Sequence, residues 1–152
     1  MKKKIITWFL LIICVLIISG CNSKQVENNN TLEKITDNNE VIKEVKIMIN
    51  DNLYIINLED NETTRVFVNL LPLEMEMKEL NGNEKYIYLD KTLPTNSFNP
   101  QHINRGDVML YGNNCLVIFY ESFDTSYSYT KIGHIDNLTN LGDGSIKVKI
   151  EK

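Results

Sequence analysis

The hydrophobic positions of the chain follow two patterns, one in the first twenty residues and another in the remainder. Residues 5–18 are almost continuously apolar and follow three lysines, Lys2–Lys4. Further along, apolar residues such as Val45, Ile47 and Ile49 alternate with polar ones. A period of two is typical of strands that bury one face. The pattern therefore predicts an apolar leader followed by a domain built mainly of β-strands.

The alternation predicts eight strands separated by recognisable turns. Residues 50–52 join the first two strands into a hairpin, because asparagine and aspartate tolerate left-handed backbone angles. Asn81-Gly82 and residues 142–144 mark two further turns, and a long loop runs over residues 90–106. The predicted strands are 45–49, 54–58, 73–77, 86–89, 107–111, 115–120, 127–135 and 146–150. Many short strands with local turns favour a barrel or a sandwich over a parallel α/β sheet.

One segment has helical spacing instead. In residues 61–71, four apolar residues fall on one side at three- and four-residue intervals. Asn61 or Thr63 can cap the start of this helix. Pro72 predicts its end, because the residue before a proline avoids helical angles. A short helical turn is also predicted over residues 137–141.

The end of the apolar leader carries a specific signal. Ile18-Ser19-Gly20-Cys21 closes the run with two small residues and a cysteine. A basic start, an apolar region and a small-residue cleavage site predict a secretory signal peptide over residues 1–20. Cys21 after the small pair resembles the bacterial lipobox, in which the thiol receives a diacylglycerol and the chain is cut before it. The alternative, an uncleaved membrane helix, needs ~20 apolar residues, and the run is shorter.

This resemblance implies a lipoprotein at the extracytoplasmic face of the cell membrane, anchored in the lipid bilayer through acylated Cys21. Stable anchoring takes more than one acyl chain, such as the diacylglycerol and an added palmitate. Residues 21–43 are then a lipidated, flexible tether, because their polar composition buries little surface. A coil of this length reaches roughly 25 Å. Residues 44–152 form the folded domain.

Composition argues against several function classes. Removal of residues 1–20 changes the formal charge from −4 to −7, which does not suit nucleic acid. Cys115 is the only cysteine of the predicted domain, so no internal disulfide forms, and we interpret it as a buried core residue. His102 and His134 lack a surrounding ligand cluster, so no metal site is expected. Without a phosphate-binding glycine motif or a catalytic triad, no cofactor and no hydrolase activity are predicted.

Six short motifs occur in order along the predicted domain. They are Leu71-Pro72-Leu73, Leu80 to Tyr86, Leu93-Pro94, Gly106 to Gly112, Phe119 to Phe123, and Tyr127 to Gly133. Together they resemble the bacterial cyclophilin-like family, over roughly residues 45–150. The resemblance implies a mainly β fold, a closed eight-stranded barrel with one short helix after the second strand and a short helix before the last.

The resemblance does not extend to the catalytic set of true cyclophilins. Those enzymes carry a Phe-His-Arg element on the third strand, whereas residues 73–77 read Leu-Glu-Met-Glu-Met. The chain has only two arginines, Arg65 in the predicted helix and Arg105 in the long loop. The expected function is a non-catalytic binding module for an unknown small ligand or peptide. The alternative is an extracytoplasmic prolyl isomerase or folding factor for secreted proteins, with Gln101, His102 and Arg105 as its polar site.

The candidate ligand-binding residues are Glu84, Tyr86, Tyr120, Tyr127 and Tyr129, which all lie within the recurring motifs. Tyrosines at strand ends offer flat aromatic faces and hydroxyl groups to a ligand. The alternative is that they are half-buried barrel residues whose hydroxyls reach water. The sequence indicates neither the ligand nor the oligomeric state.

Overall fold

The structure, a computed structural model, describes residues 41–152, which form ten strands and one helix. The elements are β1 (Glu44–Ile49), β2 (Asn52–Leu58), α1 (Glu62–Val68), β3 (Leu73–Leu80), β4 (Glu84–Tyr88), β5 (His102–Ile103), β6 (Asp107–Tyr111), β7 (Cys115–Phe119), β8 (Phe123–Asp124), β9 (Thr130–Ile135) and β10 (Ile146–Glu151). The predicted signal peptide, Cys21 and most of the predicted tether lie outside the described residues.

Eight of these strands close into an antiparallel barrel in the order β1-β10-β3-β4-β7-β6-β9-β2. The predicted closed eight-stranded barrel is therefore confirmed. The turn residues also behave as their chemistry predicts, since Asn50 and Asn81 adopt φ angles of 51° and 58°. In the ladder between β4 and β7, Glu84 lies opposite Phe119 and Tyr88 lies opposite Cys115.

Apolar residues pack on both faces of the barrel wall. The larger cluster, which includes Ile47, Phe67 and Leu116, fills the interior. A smaller one lies on the outer face of β6 and β7 and contains Ile103, Met109, Cys115, Val117, Phe119 and Tyr129. Successive strand residues point to opposite faces, so β7 is covered on both sides and all five of its residues are buried.

The helix α1 is shorter than the sequence predicts. It starts after Asn61, whose Oδ1 accepts hydrogen bonds from the Thr64 N–H at 2.9 Å and the Thr64 hydroxyl at 3.0 Å. The predicted cap at Asn61 is thus confirmed. The helix ends at Val68 and not at Leu71, because the N–H groups of residues 69–71 each donate to the carbonyl three residues earlier, in a tighter turn. Within residues 41–152, no helix has the length and apolar content that a membrane crossing requires.

The predicted helical turn over residues 137–141 is wrong, since this part of the described chain is an irregular loop. Asn137 has a φ of 55°, which a right-handed helix does not allow. Asn140 uses its side chain locally instead. Its Oδ1 accepts from the Gly142 N–H at 2.7 Å, and its Nδ2 donates to Glu121 Oε1 at 2.8 Å. Such side-chain bonds compete with helix formation.

The long loop before β6 is held against the segment before β9. The strand β5 of this loop pairs with β8 of the segment before β9, which places His102 opposite Asp124. Phe98 and Tyr129 form a second bridge, with two backbone N–H···O bonds of 2.9 Å. The predicted strand over 127–135 accordingly begins later, at Thr130. These pairings fix the residues that cover the outer face of the barrel.

Candidate functional site

Alternation along β4 gives neighbouring residues opposite environments. Lys85 and Ile87 face the barrel interior, whereas Glu84, Tyr86 and Tyr88 face outward. The outward residues of β4 lie beside the outward residues of β7, because the two strands are paired in register. The three outward side chains of β4 therefore form one side of a surface groove.

The groove has a volume of about 280 Å³ and lies on the outer face of the barrel. Its floor and walls come from the ends of β3, β4, β6 and β7 and from the segment before β9. The lining residues are Leu80, Asn81, Glu84, Tyr86, Tyr88, Tyr111, Cys115, Val117, Tyr127 and Tyr129. Half of them are tyrosines, so tyrosine is the commonest residue in the groove.

The tyrosine rings pack against one another at steep angles. Tyr111 meets Tyr127 edge-on, with ring centroids 6.1 Å apart and an interplanar angle of 89°. The ring centroids of Tyr111 and Tyr129 lie 5.6 Å apart, with an interplanar angle of 52°. Tyr86 meets Tyr88 edge-on, with ring centroids 6.0 Å apart. Tyr88, Tyr111 and Tyr127 are exposed. The site thus presents aromatic surfaces of several orientations to solvent.

Backbone and side-chain contacts hold the tyrosine-bearing segment in place. Tyr129 is fixed by its bridge to Phe98 and by the ring of Phe119, whose centroid is 5.4 Å away. The N–H of Tyr127 donates to the Thr125 hydroxyl at 3.1 Å. A ligand therefore meets rings that are already positioned, which lowers the ordering cost of binding.

Glu84 supplies the only carboxyl group of the groove lining. The residue is 9% exposed, and within residues 41–152 its carboxyl has no hydrogen-bond or ion-pair partner. Burial, and to a lesser degree the nearby charge of Glu79, raises the pKa of Glu84 to about 7. An unpartnered buried carboxyl is costly for the fold, which marks Glu84 as a group suited to a ligand.

Cys115 is buried, as the sequence predicts, but on the outer face and beneath the groove. Burial and the charge of Glu84 raise the pKa of its thiol to about 11. Burial and Glu84 likewise raise the pKa of the Tyr129 hydroxyl. A thiol that stays protonated is a poor nucleophile, so the site is not arranged for covalent chemistry at Cys115.

The structure separates Tyr120 from the other four candidate ligand-binding residues. Glu84, Tyr86, Tyr127 and Tyr129 line the groove, whereas Tyr120 is buried with the interior cluster. Its hydroxyl donates to Glu79 Oε1 at 2.7 Å. Tyr120 lies apart from the groove because it follows Phe119, which faces outward, and successive strand residues point to opposite faces.

Lys85 forms the centre of a polar network on the inner side of β4. Its side chain is fully buried, and its ammonium group is hydrogen-bonded to the Glu79 carboxylate. It also donates to the carbonyls of Gly142 and Gly144 at 2.6 and 2.8 Å, and lies 4.9 Å from the centre of the Tyr120 ring. All three N–H donors are used, so this lysine joins the β3–β4 hairpin to the loop before β10.

Gln101, His102 and Arg105 do not assemble into one polar site. His102 Nδ1 lies 2.7 Å from Asp124 Oδ1, and Arg105 Nη2 donates to Glu121 Oε2 at 2.6 Å. None of the three lines the groove. Arg105 is thus engaged at a different surface from the aromatic side chains.

In the part of the chain that the structure describes, no three His, Cys, Asp or Glu side chains converge on a point where a metal ion would be held. His134 contacts two carboxylates, Asp107 at 3.0 Å and Asp136 at 3.6 Å. Lys131 also lies 3.8 Å from Asp107. The cluster is therefore a local charge network at the β6–β9 edge.

Sequence reasoning missed several lining residues, chiefly Tyr88 and Tyr111. The signal for Tyr88 was present, since it lies two positions after Tyr86 and therefore on the same face of β4. Tyr111 ends β6 in the motif from Gly106 to Gly112, but only the β6–β7 register places it opposite Cys115.

Comparison with family models gives a match for the barrel domain, whereas comparison with individual proteins gives none. A search of the curated proteins found no match, and neither did a search of the solved structures. The model of the cyclophilin-like family matches residues 47–151, which run from the middle of β1 to the end of β10. The chain therefore belongs to the cyclophilin-like family.

Proposed function

We propose that this protein is a membrane-anchored, extracytoplasmic binding module that uses its cyclophilin-like domain to hold a small ligand or peptide without catalysis. The observation that carries the proposal is the outer groove, where exposed tyrosine rings surround the unpartnered carboxyl of Glu84. Concave sites with aromatic walls and a few polar groups are typical of ligand binding. The proposed lipid anchor at Cys21 would keep the groove near the membrane surface.

The rival function is prolyl isomerisation by an extracytoplasmic folding factor. It requires a cation beside an apolar pocket, and Arg105 is the residue that the sequence offers for this role. Its guanidinium is bonded to Glu121 and lies outside the groove lining. The lining of the groove itself contains one acid, Glu84, and no lysine, arginine or histidine. This arrangement favours binding over isomerisation.

A ligand screen by thermal shift tests the binding proposal, because a ligand that binds only the folded state raises its melting temperature. We expect a hit among peptides, sugars and small metabolites, and we expect Tyr127→Ala or Glu84→Ala to abolish its shift. Both variants should remain folded without ligand, since Tyr127 is exposed and Glu84 has no internal partner. A shift that is unchanged in both variants would place the site elsewhere.

A proline isomerisation assay on a test peptide separates the two functions, since the uncatalysed step takes roughly tens of seconds. The expected rate is that of the background. Robust catalysis that disappears in Arg105→Ala would replace the binding proposal with the isomerase.

Membrane anchoring gives a separate expected result. Metabolic labelling with a fatty-acid probe should mark the wild-type chain, and Cys21→Ala should remove the label. Cys115→Ser is the matched control and should keep the label, because Cys115 is a buried thiol of the folded domain. Equal labelling of the wild type and Cys21→Ala would contradict the anchor.

A further inference from the structure

We propose that the ligand of the groove is a small organic cation, an ammonium or alkylammonium group, which pairs with Glu84 and packs against the faces of the surrounding tyrosines. This inference rests on the proposed function, in which the groove is the binding site. It adds the charge and the chemical class of the ligand.

The charge of the groove is the first argument. Its lining contains one carboxyl group and no lysine, arginine or histidine. The adjacent Lys85 cannot neutralise Glu84 because it faces the interior and its donors are used by Glu79 and two carbonyls. An ionised Glu84 therefore lacks a counter-ion within the described residues. A cationic ligand would supply one, whereas an anionic ligand would be repelled.

The aromatic walls are the second argument. The face of a tyrosine ring carries negative potential and attracts a cation within about 6 Å of the ring centre. Tyr111 and Tyr127 stand at 89° to each other, and Tyr129 is tilted beside them. Rings in different planes around one acid provide the kind of aromatic cage that holds quaternary ammonium groups.

The remaining lining residues distinguish an organic cation from a metal ion. Calcium and magnesium prefer six or more oxygen ligands, and the groove offers one carboxyl beside Val117, Leu80 and the Cys115 thiol. These apolar groups suit alkyl substituents. Its volume of about 280 Å³ accommodates a trimethylammonium group with a short chain, whether as a free amine or as the end of a modified lysine side chain.

The titration of Glu84 gives this inference a pH signature. Glu79 of β3 acts on Glu84 electrostatically from the inner face of the wall. The titratable groups that share the groove with Glu84 are Tyr86 and Tyr88 from β4, Tyr111 from β6, Cys115 from β7, and Tyr127 and Tyr129 before β9. The pKa of Glu79 is lowered, and the pKa values of Cys115 and Tyr129 are raised. Glu84 is thus the member whose charge changes near pH 7. Binding of a permanent cation should strengthen as the pH rises through about 7 and the carboxylate forms.

The test is a calorimetric titration of the full chain in a non-ionic detergent. Choline is compared with 3,3-dimethylbutan-1-ol, its neutral carbon isostere, and with a peptide that contains trimethyllysine. We expect choline or the peptide to bind at least about tenfold more tightly than the isostere. Comparison of the free and peptide-borne cations identifies the source of the ligand.

Matched variants separate charge from ring effects. Glu84→Gln should remove the preference over the isostere and the pH dependence, whereas Glu76→Gln on the exposed face of β3 should change neither. Tyr127→Leu should weaken cation binding, and Tyr127→Phe, which keeps the ring, should retain it.

Equal binding of choline and the isostere, or a charge preference that survives in Glu84→Gln, would overturn the inference and leave the binding-module proposal intact. If neither cation bound but the ligand screen gave a neutral hit, the cation inference would also be overturned and the binding-module proposal would stand. If neither the cations nor the screen gave a ligand, both proposals would fall.

Discussion

Replacement of Lys85 by methionine is expected to lower the free energy of unfolding by about 3–5 kcal/mol. Methionine is similar in length to this buried side chain but cannot donate hydrogen bonds. The change leaves the carbonyls of Gly142 and Gly144 and the carboxylate of Glu79 without their shared donor. Loss of one member of a buried, hydrogen-bonded charge network is among the most costly substitutions in a small domain.

Urea denaturation, followed by far-ultraviolet circular dichroism, measures the free energy of unfolding of the variant and the wild type. The matched control is Lys78→Met, since Lys78 lies on the same hairpin but is exposed, and it should change stability by less than about 0.5 kcal/mol. Adding Glu79→Gln to Lys85→Met should cost less than the two single changes together, because the second change removes a charge that has already lost its counter-ion. A Lys85→Met variant as stable as the wild type would show that the network contributes nothing to folding.

Replacement of Glu84, the acid in the groove, is expected to stabilise the folded domain, in contrast to replacement of Lys85. At pH 8, Glu84→Gln should raise the free energy of unfolding by up to roughly 3 kcal/mol. In the fold the pKa of Glu84 is about 7, above the ordinary value of 4.5 expected in the unfolded chain. The native state therefore favours the protonated carboxyl. This contribution is fully present below pH 4.5 and is lost as the pH rises through about 7.

A pH series of unfolding experiments checks the sign. The advantage of Glu84→Gln should grow between pH 4.5 and 7 and disappear below that window, because protonated Glu and Gln are both neutral. Glu76→Gln, the exposed control, should show no such window. An advantage of Glu84→Gln that stayed constant across this range would rule out titration of the buried carboxyl as its cause.

Glu79 gives the folded domain a second, opposing pH dependence. Burial acts to raise its pKa, but hydrogen bonds from Lys85 and Tyr120 and the charge of Lys85 lower the pKa below its ordinary value. Its contribution to stability is therefore present above pH 4.5 and is lost as the pH falls through its folded pKa. The two glutamates are five residues apart, yet one stabilises the ionised domain and the other destabilises it. A costly, unpartnered acid beside a fully paired one is consistent with a group kept for binding.

Local chemistry along the chain determined most of the secondary structure. The period of two in β1, β2 and β10 predicted both the strands and their buried faces, since each has one solvent face and one core face. Asn81 and Gly82 predicted the β3–β4 turn because both tolerate positive φ. Asn61 predicted the start of α1, but the sequence placed its end three residues late, because a tight turn satisfies the same apolar spacing.

The assignment of side chains to the groove was decided only by the tertiary structure. The alternation of residues along a strand indicates which side chains share a face of the sheet. It does not indicate which face is the barrel interior when both faces are covered. In β7 every residue is buried, and the neighbouring motifs contain tyrosines on both faces. Closure of the barrel turned Tyr120 and Lys85 inward, and the β4–β7 and β6–β7 registers brought Glu84, Tyr88 and Tyr111 to one outer groove. The pairing of strands far apart in sequence thus determined where the acid and the aromatic rings meet.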